Sequence, residues 1–296
     1  MRAWWRGFWR HFGEACAAAY RDNCLGIAKG AAYSSLLAFF PVLTAIAAIL
    51  VQANADAVSR TLRRLLFQAV PPGAEGLLLQ NFIVGGPRPV SLLVTATLLA
   101  AWAGSGVMMS LMEGFRAAYR IPEGRSMVAQ RAMALFLVFM CALPAVAASA
   151  AILFGRRTEI SVLGWLGLVS AGQQLRGGVE LAGQLSRYGI ALATVVLVTA
   201  ALYYFGPNRP RKRWSQVWPG AMVATVLWLL ATSVFGWYVR NIAHYNVLYG
   251  SIGAVVTFLV WTYVLAVIAL VGCEFNARRG AARSPARQDR RRSEPS

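Results

Sequence analysis

The sequence is poor in the side chains that carry out catalysis and bind metals. Its 296 residues include 2 His, 3 Asp, 8 Glu and 2 Lys, and its four cysteines form no CxxC pair. His11, Cys16 and Cys24 lie close together in the chain, but their spacing is not that of a zinc site. Metal-dependent hydrolysis of a phosphodiester needs clustered His and carboxylate ligands. We therefore predict no enzymatic activity, no metal site and no cofactor.

Charge of either sign is scarce, and negative charge especially so. Charged residues make up 14% of the chain and hydrophobic residues 58%, with a formal net charge of +18. In soluble domains, charged residues average about 25% and hydrophobic residues roughly 45–50%. The basic residues separate long uncharged runs, whereas a nucleic-acid-binding protein gathers them on one face of a soluble fold. This pattern predicts a membrane protein, with membrane lipids rather than nucleic acid as its partners.

Six uncharged runs are long enough to cross a bilayer. A hydrocarbon core of about 30 Å takes about 20 helical residues. The predicted spans are 30–51, 89–112, 132–155, 188–208, 214–239 and 251–274. The predicted fold class is therefore an all-α bundle of six transmembrane helices. The connections on the side of both termini carry twenty Lys and Arg, against nine on the other side, which predicts cytoplasmic termini.

Four segments outside the spans have their own patterns. Residues 1–28 are predicted to be an interfacial segment, because arginines recur every four residues beside a stripe of aromatic residues. Residues 53–70 are predicted to form an amphipathic helix, and 156–187 a partly helical loop, both on the outer side. Residues 278–296 lack apolar periodicity and are predicted to be a disordered basic tail. No cleavable signal peptide is expected, because the first apolar run starts too far along the chain.

Two spans contain a proline near their middle, Pro41 in the first and Pro144 in the third. A proline inside a helix removes a backbone donor and displaces the carbonyl four residues earlier. Irregular backbone at membrane depth commonly lines a cavity. Pro41, Pro144, Ser34 and Ser35 are therefore candidates for lining a cavity between the first and third spans. A plain packing kink is an equal alternative.

Two groups of charged residues are candidate sites. Arg60, Arg63 and Arg64, in the first outer loop, are predicted to bind an anionic lipid headgroup, because arginine pairs bidentately with phosphate. Simple anchoring of that loop to lipid is the alternative. Lys29, Glu113 and Glu274 end spans on the inner face. They are predicted to form an ion-pair layer, with a structural role favoured over a gate, because an unpaired charge there is costly.

The C-terminal stretch, residues 218–277, resembles the signature of the YihY/BrkB family of bacterial inner-membrane proteins, once named ribonuclease BN. The shared landmarks are Pro219, Gly220, Tyr245, Tyr249, Gly250, Ser251, Trp261, Glu274 and Asn276. Residues 31–41 and 203–208 also fit, whereas Gly114-Phe115-Arg116 stands where the family often has Leu-Asn-Arg. The resemblance implies one transmembrane domain over residues 29–277, in the bacterial inner membrane.

Together these features favour a protein that handles or translocates phospholipid or a similar amphiphile. No Asp, Glu, Lys or Arg lies in the middle of a predicted span, which disfavours proton-coupled transport. A non-transporting scaffold that recruits a periplasmic or cytoplasmic protein is the first alternative. A small-solute or ion transporter is the second. Ribonuclease activity is disfavoured, because the two His residues lie on opposite predicted sides of the membrane.

Overall fold

The computed structural model describes residues 2–52, 90–122, 124–165, 177–209, 213–241 and 250–282. The elements in this part of the chain are all helical. They are α1 (Arg2–Arg21), α2 (Cys24–Gln52), α3 (Val90–Ala118), α4 (Met127–Trp165), α5 (Gly177–Phe205), a short 3-10 helix (Trp214–Gln216), α6 (Trp218–Asn241) and α7 (Gly250–Ala282). Helices α2 to α7 each contain a stretch that is long and apolar enough to cross a membrane. The predicted six-helix fold class is confirmed, while the orientation of the termini stays a prediction.

Several helices extend beyond the predicted spans. Helix α4 continues to Trp165 and α5 begins at Gly177, so much of the predicted loop 156–187 is helical. Helix α7 runs two turns past Glu274. Charged residues end the apolar runs without ending the helices, because Arg, Glu and Ala favour the helical state. The predicted helix 53–70, with its three arginines, lies outside the described residues, as do residues 283–296 of the tail.

The six long helices form a ring in chain order. Each of α2 to α6 packs against the next helix, and α7 packs against both α6 and α2. Antiparallel helices joined in sequence commonly pack in this way. Helix α3 therefore lies between α2 and α4, so Pro41 and Pro144 are not on neighbouring helices. The structure does not place them in one groove between the first and third spans, contrary to expectation, and both prolines lie inside continuous helices.

The ring is tightly packed at one end, which we call the closed end. It comprises the start of α2, α4 and α6 and the end of α3, α5 and α7. Its fully buried side chains include Phe115, Leu137, Tyr203, Val217 and Leu270. The rings of Phe115 and Tyr203 meet edge to face, with centroids 5.5 Å apart. The closed end is thus a continuous core to which all seven helices contribute.

The opposite part of the ring, which we call the open half, has little buried surface. Over residues 138–148, 185–199, 226–239 and 255–265, none of the described side chains is buried. Among the described residues, α2 and α3 stay closely packed there through Ala45, Ala96 and Ala100, and α7 keeps aromatic contacts with α2 and α6. Packing around α4 and α5 therefore loosens with distance from the closed end.

One face of α5 borders open space in the open half, as far as the described residues show. At the closed end this face buries Tyr203 and Ala200 and packs Val196 against the core. Helical spacing of three and four residues continues the same face to Ala193 and Gly189, and both are exposed. A Cβ atom built on Gly189 would meet nothing within 4 Å. The face that fills the core at one end thus borders open space at the other.

Candidate functional site

The closed end is held by a direct backbone contact between α6 and α7 at Gly220 and Gly272. A Cβ atom on Gly272 would lie 2.8 Å from the Cβ of Ala224 and 2.9 Å from the carbonyl oxygen of Gly220. A Cβ atom on Gly220 would overlap the carbonyl oxygen of Gly272 and the side chain of Asn276. Small residues allow helices in lipid to approach closely, and here the absence of a side chain is required on both helices. We call this contact the crossing.

Two buried polar side chains complete the crossing. The side-chain oxygen of Asn276 accepts a hydrogen bond of 2.7 Å from the Gly220 N–H, and its nitrogen donates one of 3.0 Å to the Val217 carbonyl. The first turn of a helix leaves N–H groups without intrahelical partners, and Asn276 supplies one from another helix. From α5, the Tyr203 hydroxyl donates to the Ala269 carbonyl over 2.6 Å. Three helices are thereby joined by specific hydrogen bonds.

We expect Asn276→Asp to lower the free energy of unfolding by about 1–3 kcal/mol, because the buried Val217 carbonyl loses its donor. The measurement is unfolding of the purified protein in detergent, followed by circular dichroism. Asn241→Asp is the matched control. The Asn241 amide donates a hydrogen bond of 2.8 Å to the Trp237 carbonyl, but at an exposed position where water can replace it. Equal stability of the two variants would contradict the role of Asn276.

A buried acidic group lies beside the crossing, where α1 and α7 pack together. Glu274 is fully buried and interacts with Asp22, in the turn between α1 and α2. Arg278, one turn after Glu274, lies 3.9 Å from a carboxyl oxygen of each acid. These are ion pairs that are too long for hydrogen bonds.

A second polar group closes the same end between the loops after α3 and α5. The guanidinium carbon of Arg209 lies 4.1 Å from the centroid of the Tyr119 ring. Among the described residues, the Tyr119 hydroxyl and the Nε and Nη2 atoms of Arg209 are buried without a hydrogen-bond partner. Burial raises the pKa of the Tyr119 hydroxyl well above its ordinary value, because the ionised form is disfavoured away from water. Tyr119 therefore stays neutral under the cation.

The loop after α3 also caps α5. The Nη1 atom of Arg125 donates to the Gly206 carbonyl over 2.8 Å, and Nη2 donates to the Phe205 carbonyl over 3.1 Å. Positive charge at the end of a helix satisfies its last carbonyls and its dipole. Burial lowers the pKa of Arg125 from its ordinary value. The contact fixes the end of α5 against the loop at the closed end.

The structure does not bring Lys29, Glu113 and Glu274 together as a layer. Lys29 and Glu113 are exposed, and within the described ranges no ion pair joins either of them to Glu274. Glu274 pairs instead with Arg278 and interacts with Asp22. The physical reason is direction: Glu274 faces the packed contact with α1, whereas the other two side chains point away from the core.

The other predicted residues are spread over the bundle. The Ser35 hydroxyl donates to the Ala31 carbonyl over 2.8 Å, so it is satisfied within its own helix. Ser34 faces α3, where a Cβ atom on Gly106 would lie 3.5 Å from its hydroxyl oxygen. Trp261 stacks on Phe235, with ring centroids 5.1 Å apart. Pro41 and Pro144 are partly buried, and Pro219 is in the first turn of α6. Gly250 and Ser251 begin α7, whereas Tyr245 and Tyr249 lie outside the described residues.

Asp22, Tyr119, Arg209 and Arg278 are not among the site residues predicted from the sequence, although each is paired or in close contact in the structure. One local signal was present: Glu274 and Arg278 are four residues apart, the spacing at which opposite charges meet on a helix. The contacts of Tyr119 with Arg209, and of Asp22 with Glu274, join distant parts of the chain and have no local signal.

The fold and these sites define a multi-pass, all-helical membrane protein whose ring is closed at one end by glycine, asparagine and tyrosine contacts. The model of the family described as Virulence factor BrkB matches residues 15–296. The chain therefore belongs to the BrkB family, and the resemblance of its C-terminal stretch is confirmed.

Named relatives agree with membership of a membrane-protein family. The chain is 29% identical over 258 residues to a UPF0761 membrane protein of Alkalilimnicola ehrlichii, covering 86% of this chain and 55% of the relative. It is 27% identical over 272 residues to a UPF0761 membrane protein of Chromobacterium violaceum, covering 90% of this chain and 62% of the relative. It is also 27% identical over 190 residues to the ribonuclease-like protein YfkH of Bacillus subtilis, covering 64% of this chain and 66% of the relative. The chain thus spans less than two thirds of each of these relatives, and no solved structure matches it.

Proposed function

We propose that this protein holds a phospholipid or a similar amphiphile within the open half and moves it between the leaflets of the bacterial inner membrane. The observation that carries this proposal is the exposed inner face of α5 at Gly189 and Ala193, which continues a face fully buried at the closed end. An unfilled interior at membrane depth takes up lipid or water. With cytoplasmic termini, the open half faces the outer leaflet.

The residues around this interior suit an amphiphile better than an ion. The stretches 138–148, 185–199, 226–239 and 255–265 contain no Asp, Glu or Lys, and Arg187 is their one charged residue. Their hydroxyls are largely satisfied within their own helices, as when Thr194 donates to the Ile190 carbonyl over 2.8 Å. Ion-coupled carriers use acidic or basic groups at this depth. The lining therefore supports acyl-chain binding over small-solute or ion transport.

The direct test is phospholipid movement in vesicles. Purified protein is reconstituted into sealed liposomes with a fluorescent phospholipid, and dithionite quenches the label in the outer leaflet. We expect quenching to proceed beyond that leaflet with the wild-type protein. Ala193→Trp places an indole in the open interior, and a barrier higher by about 1.4 kcal/mol would slow the movement roughly tenfold. Leu192→Trp, at the same depth on another exposed face of α5, is the matched control and should move lipid like the wild type.

Two outcomes would contradict the proposal. Folded wild-type protein in sealed vesicles that moves no more lipid than protein-free vesicles would favour the scaffold alternative. Equal rates for Ala193→Trp and Leu192→Trp would show that lipid does not pass along this face. Circular dichroism and size-exclusion chromatography of each variant establish that both substitutions leave the fold intact.

The ribonuclease-like name of YfkH is not extended to this chain. Among the residues that the structure describes, no group of three or more His, Cys, Asp or Glu is placed to hold a metal ion. A hydrolytic site that activates water through a metal requires such a group. We therefore propose a membrane function without catalysis.

A further inference from the structure

A charged side chain lies inside a span, in the second turn of α4. Arg131 is four residues from the end of the candidate span Met127–Ala148, which corresponds to roughly 6 Å along the helix. Its guanidinium carbon lies 3.8 Å from the centroid of the Trp102 ring on α3. Its Nη2 atom donates to the Trp102 carbonyl over 3.3 Å, and Nη1 lies 2.9 Å from the sulfur of Met109.

The guanidinium extends toward the middle of the span and not toward its nearer end. A Cβ atom on Gly104 would lie 3.8 Å from Val138, so these two residues are level on the antiparallel helices. Trp102 lies two residues further toward the open half, and Arg131 seven residues toward the closed end. Helical side chains lean toward the N-terminus of their helix, which for α4 is the closed end. Arg131 thus takes the opposite direction from a basic side chain that reaches for the nearer membrane surface.

The charge of Arg131 has no anionic partner in the described part of the chain. The ion pairs there join other residues, and the Nε atom of Arg131 is buried without a hydrogen-bond partner. A carbonyl, a thioether and an indole face orient the guanidinium but leave its charge uncompensated. Ionisable groups within a span ordinarily pair with an opposite charge. An anion supplied from outside the protein would complete this site.

The groove that holds Arg131 faces the membrane. Trp102 is 60% exposed, and its neighbours on α3, Leu98 and Leu99, are 64% and 61% exposed. An exposed apolar face of this kind on a membrane helix contacts lipid. The anion that a bilayer supplies is the phosphate of a phospholipid, and the planar guanidinium matches phosphate oxygens in a bidentate geometry. Because Trp102 lies well inside its span, the bound phosphate would lie below the level of the surrounding headgroups.

We propose that Arg131 and Trp102, together with Met109, form a site in the membrane-facing groove between α3 and α4 that binds the phosphate of a phospholipid headgroup. Arg131 carries the charge, and Trp102 covers one face of the guanidinium and contacts the glycerol region of the lipid. Binding here requires no movement of lipid between leaflets, so the site is independent of the proposed function.

The test compares bound lipid in Arg131→Gln and Arg213→Gln. Arg213 is exposed and precedes α6 at the closed end, so the control removes the same charge from the same end of the protein. Each full-length protein is purified in mild detergent, and copurified phospholipid is counted by native mass spectrometry. We expect the wild type and Arg213→Gln to retain the same lipid, and Arg131→Gln to lose most of it.

A second measurement separates a lipid from a free anion. Short-chain phosphatidylglycerol should raise the thermal midpoint of the wild type and of Arg213→Gln but not that of Arg131→Gln, while inorganic phosphate at the same concentration should leave all three unchanged. Equal stabilisation by inorganic phosphate would overturn the assignment to a lipid. Equal lipid retention by the two arginine variants would overturn the site. If Arg131→Gln does not fold, Trp102→Leu replaces it: reduced lipid retention supports the site, and wild-type retention overturns it.

Discussion

Gly220→Ala is expected to lower the free energy of unfolding by about 3 kcal/mol, the upper part of the usual range for overpacking. The added methyl group would overlap the Gly272 carbonyl and the side chain of Asn276. Backbone atoms cannot rotate away as a flexible side chain can, so α6 and α7 would have to separate. The change would also lengthen the hydrogen bond from the Gly220 N–H to Asn276. Unfolding by sodium dodecyl sulfate in mixed micelles measures the effect.

Gly280→Ala provides the control for this prediction. Gly280 lies in the last turns of α7, and a Cβ atom there would meet nothing within 4 Å. Alanine favours the helix by about 1 kcal/mol over glycine, so this variant should be at least as stable as the wild type. Gly272→Ala should resemble Gly220→Ala, because its methyl group would meet Ala224 and the Tyr203 hydroxyl. A Gly220→Ala protein as stable as Gly280→Ala would show that the crossing is not close-packed.

Glu274→Ala is expected to lower the free energy of unfolding by about 2–4 kcal/mol, within the range for emptying a buried site of this size. Asp22 and Arg278 would still pair with each other, so the loss comes chiefly from the cavity. Glu274→Gln keeps the volume and places an amide donor beside Asp22. It should differ from the wild type by less than about 1 kcal/mol, the scale of one net hydrogen bond. The same micelle titration at pH 7 compares the three proteins.

Glu14→Ala is the matched control for Glu274→Ala. Glu14 lies on α1 at an exposed position, 3.8 Å from Arg10, and exposed ion pairs contribute about 0–1 kcal/mol. Equal losses for Glu274→Ala and Glu274→Gln would contradict this account, because they would show that the negative charge itself stabilises the closed end. A loss from Glu274→Ala no larger than that from Glu14→Ala would contradict its burial.

The six spans were predictable because bilayer thickness imposes a length that a hydropathy pattern shows directly. The ends of the helices were less predictable than the spans. Arg156 and Arg157 interrupt an apolar run but suit a helix, and α4 continues through them to Trp165. The loose packing of the open half could not be predicted from the sequence. Lipid-facing and protein-facing positions of a membrane helix are both apolar, so Ala193 and Ala200 look alike in sequence although one is exposed and the other buried.

The candidate sites divide in a similar way. Gly220, Glu274 and Asn276 were singled out by family resemblance, and the structure places all three at or beside the crossing. The ionic partners of Glu274 were not predicted, because charge at a span end gives its depth but not the direction in which a side chain points. Arg131 was counted as a loop residue at the border of a span. Its contact with Trp102 depends on how α3 and α4 are aligned, which no local pattern records.

The crossing also acts as a fulcrum. Because the Gly220 and Gly272 backbones touch near one end of α6, any change in the width of the open half has to come from tilting or bending of the helix arms, and not from sliding. Helix α6 continues from Gly220 to Asn241, an arm of roughly 32 Å, so a small rotation at the glycines becomes a large displacement at the far end. An asymmetric bundle of this kind can widen in one leaflet while its seal in the other stays in place.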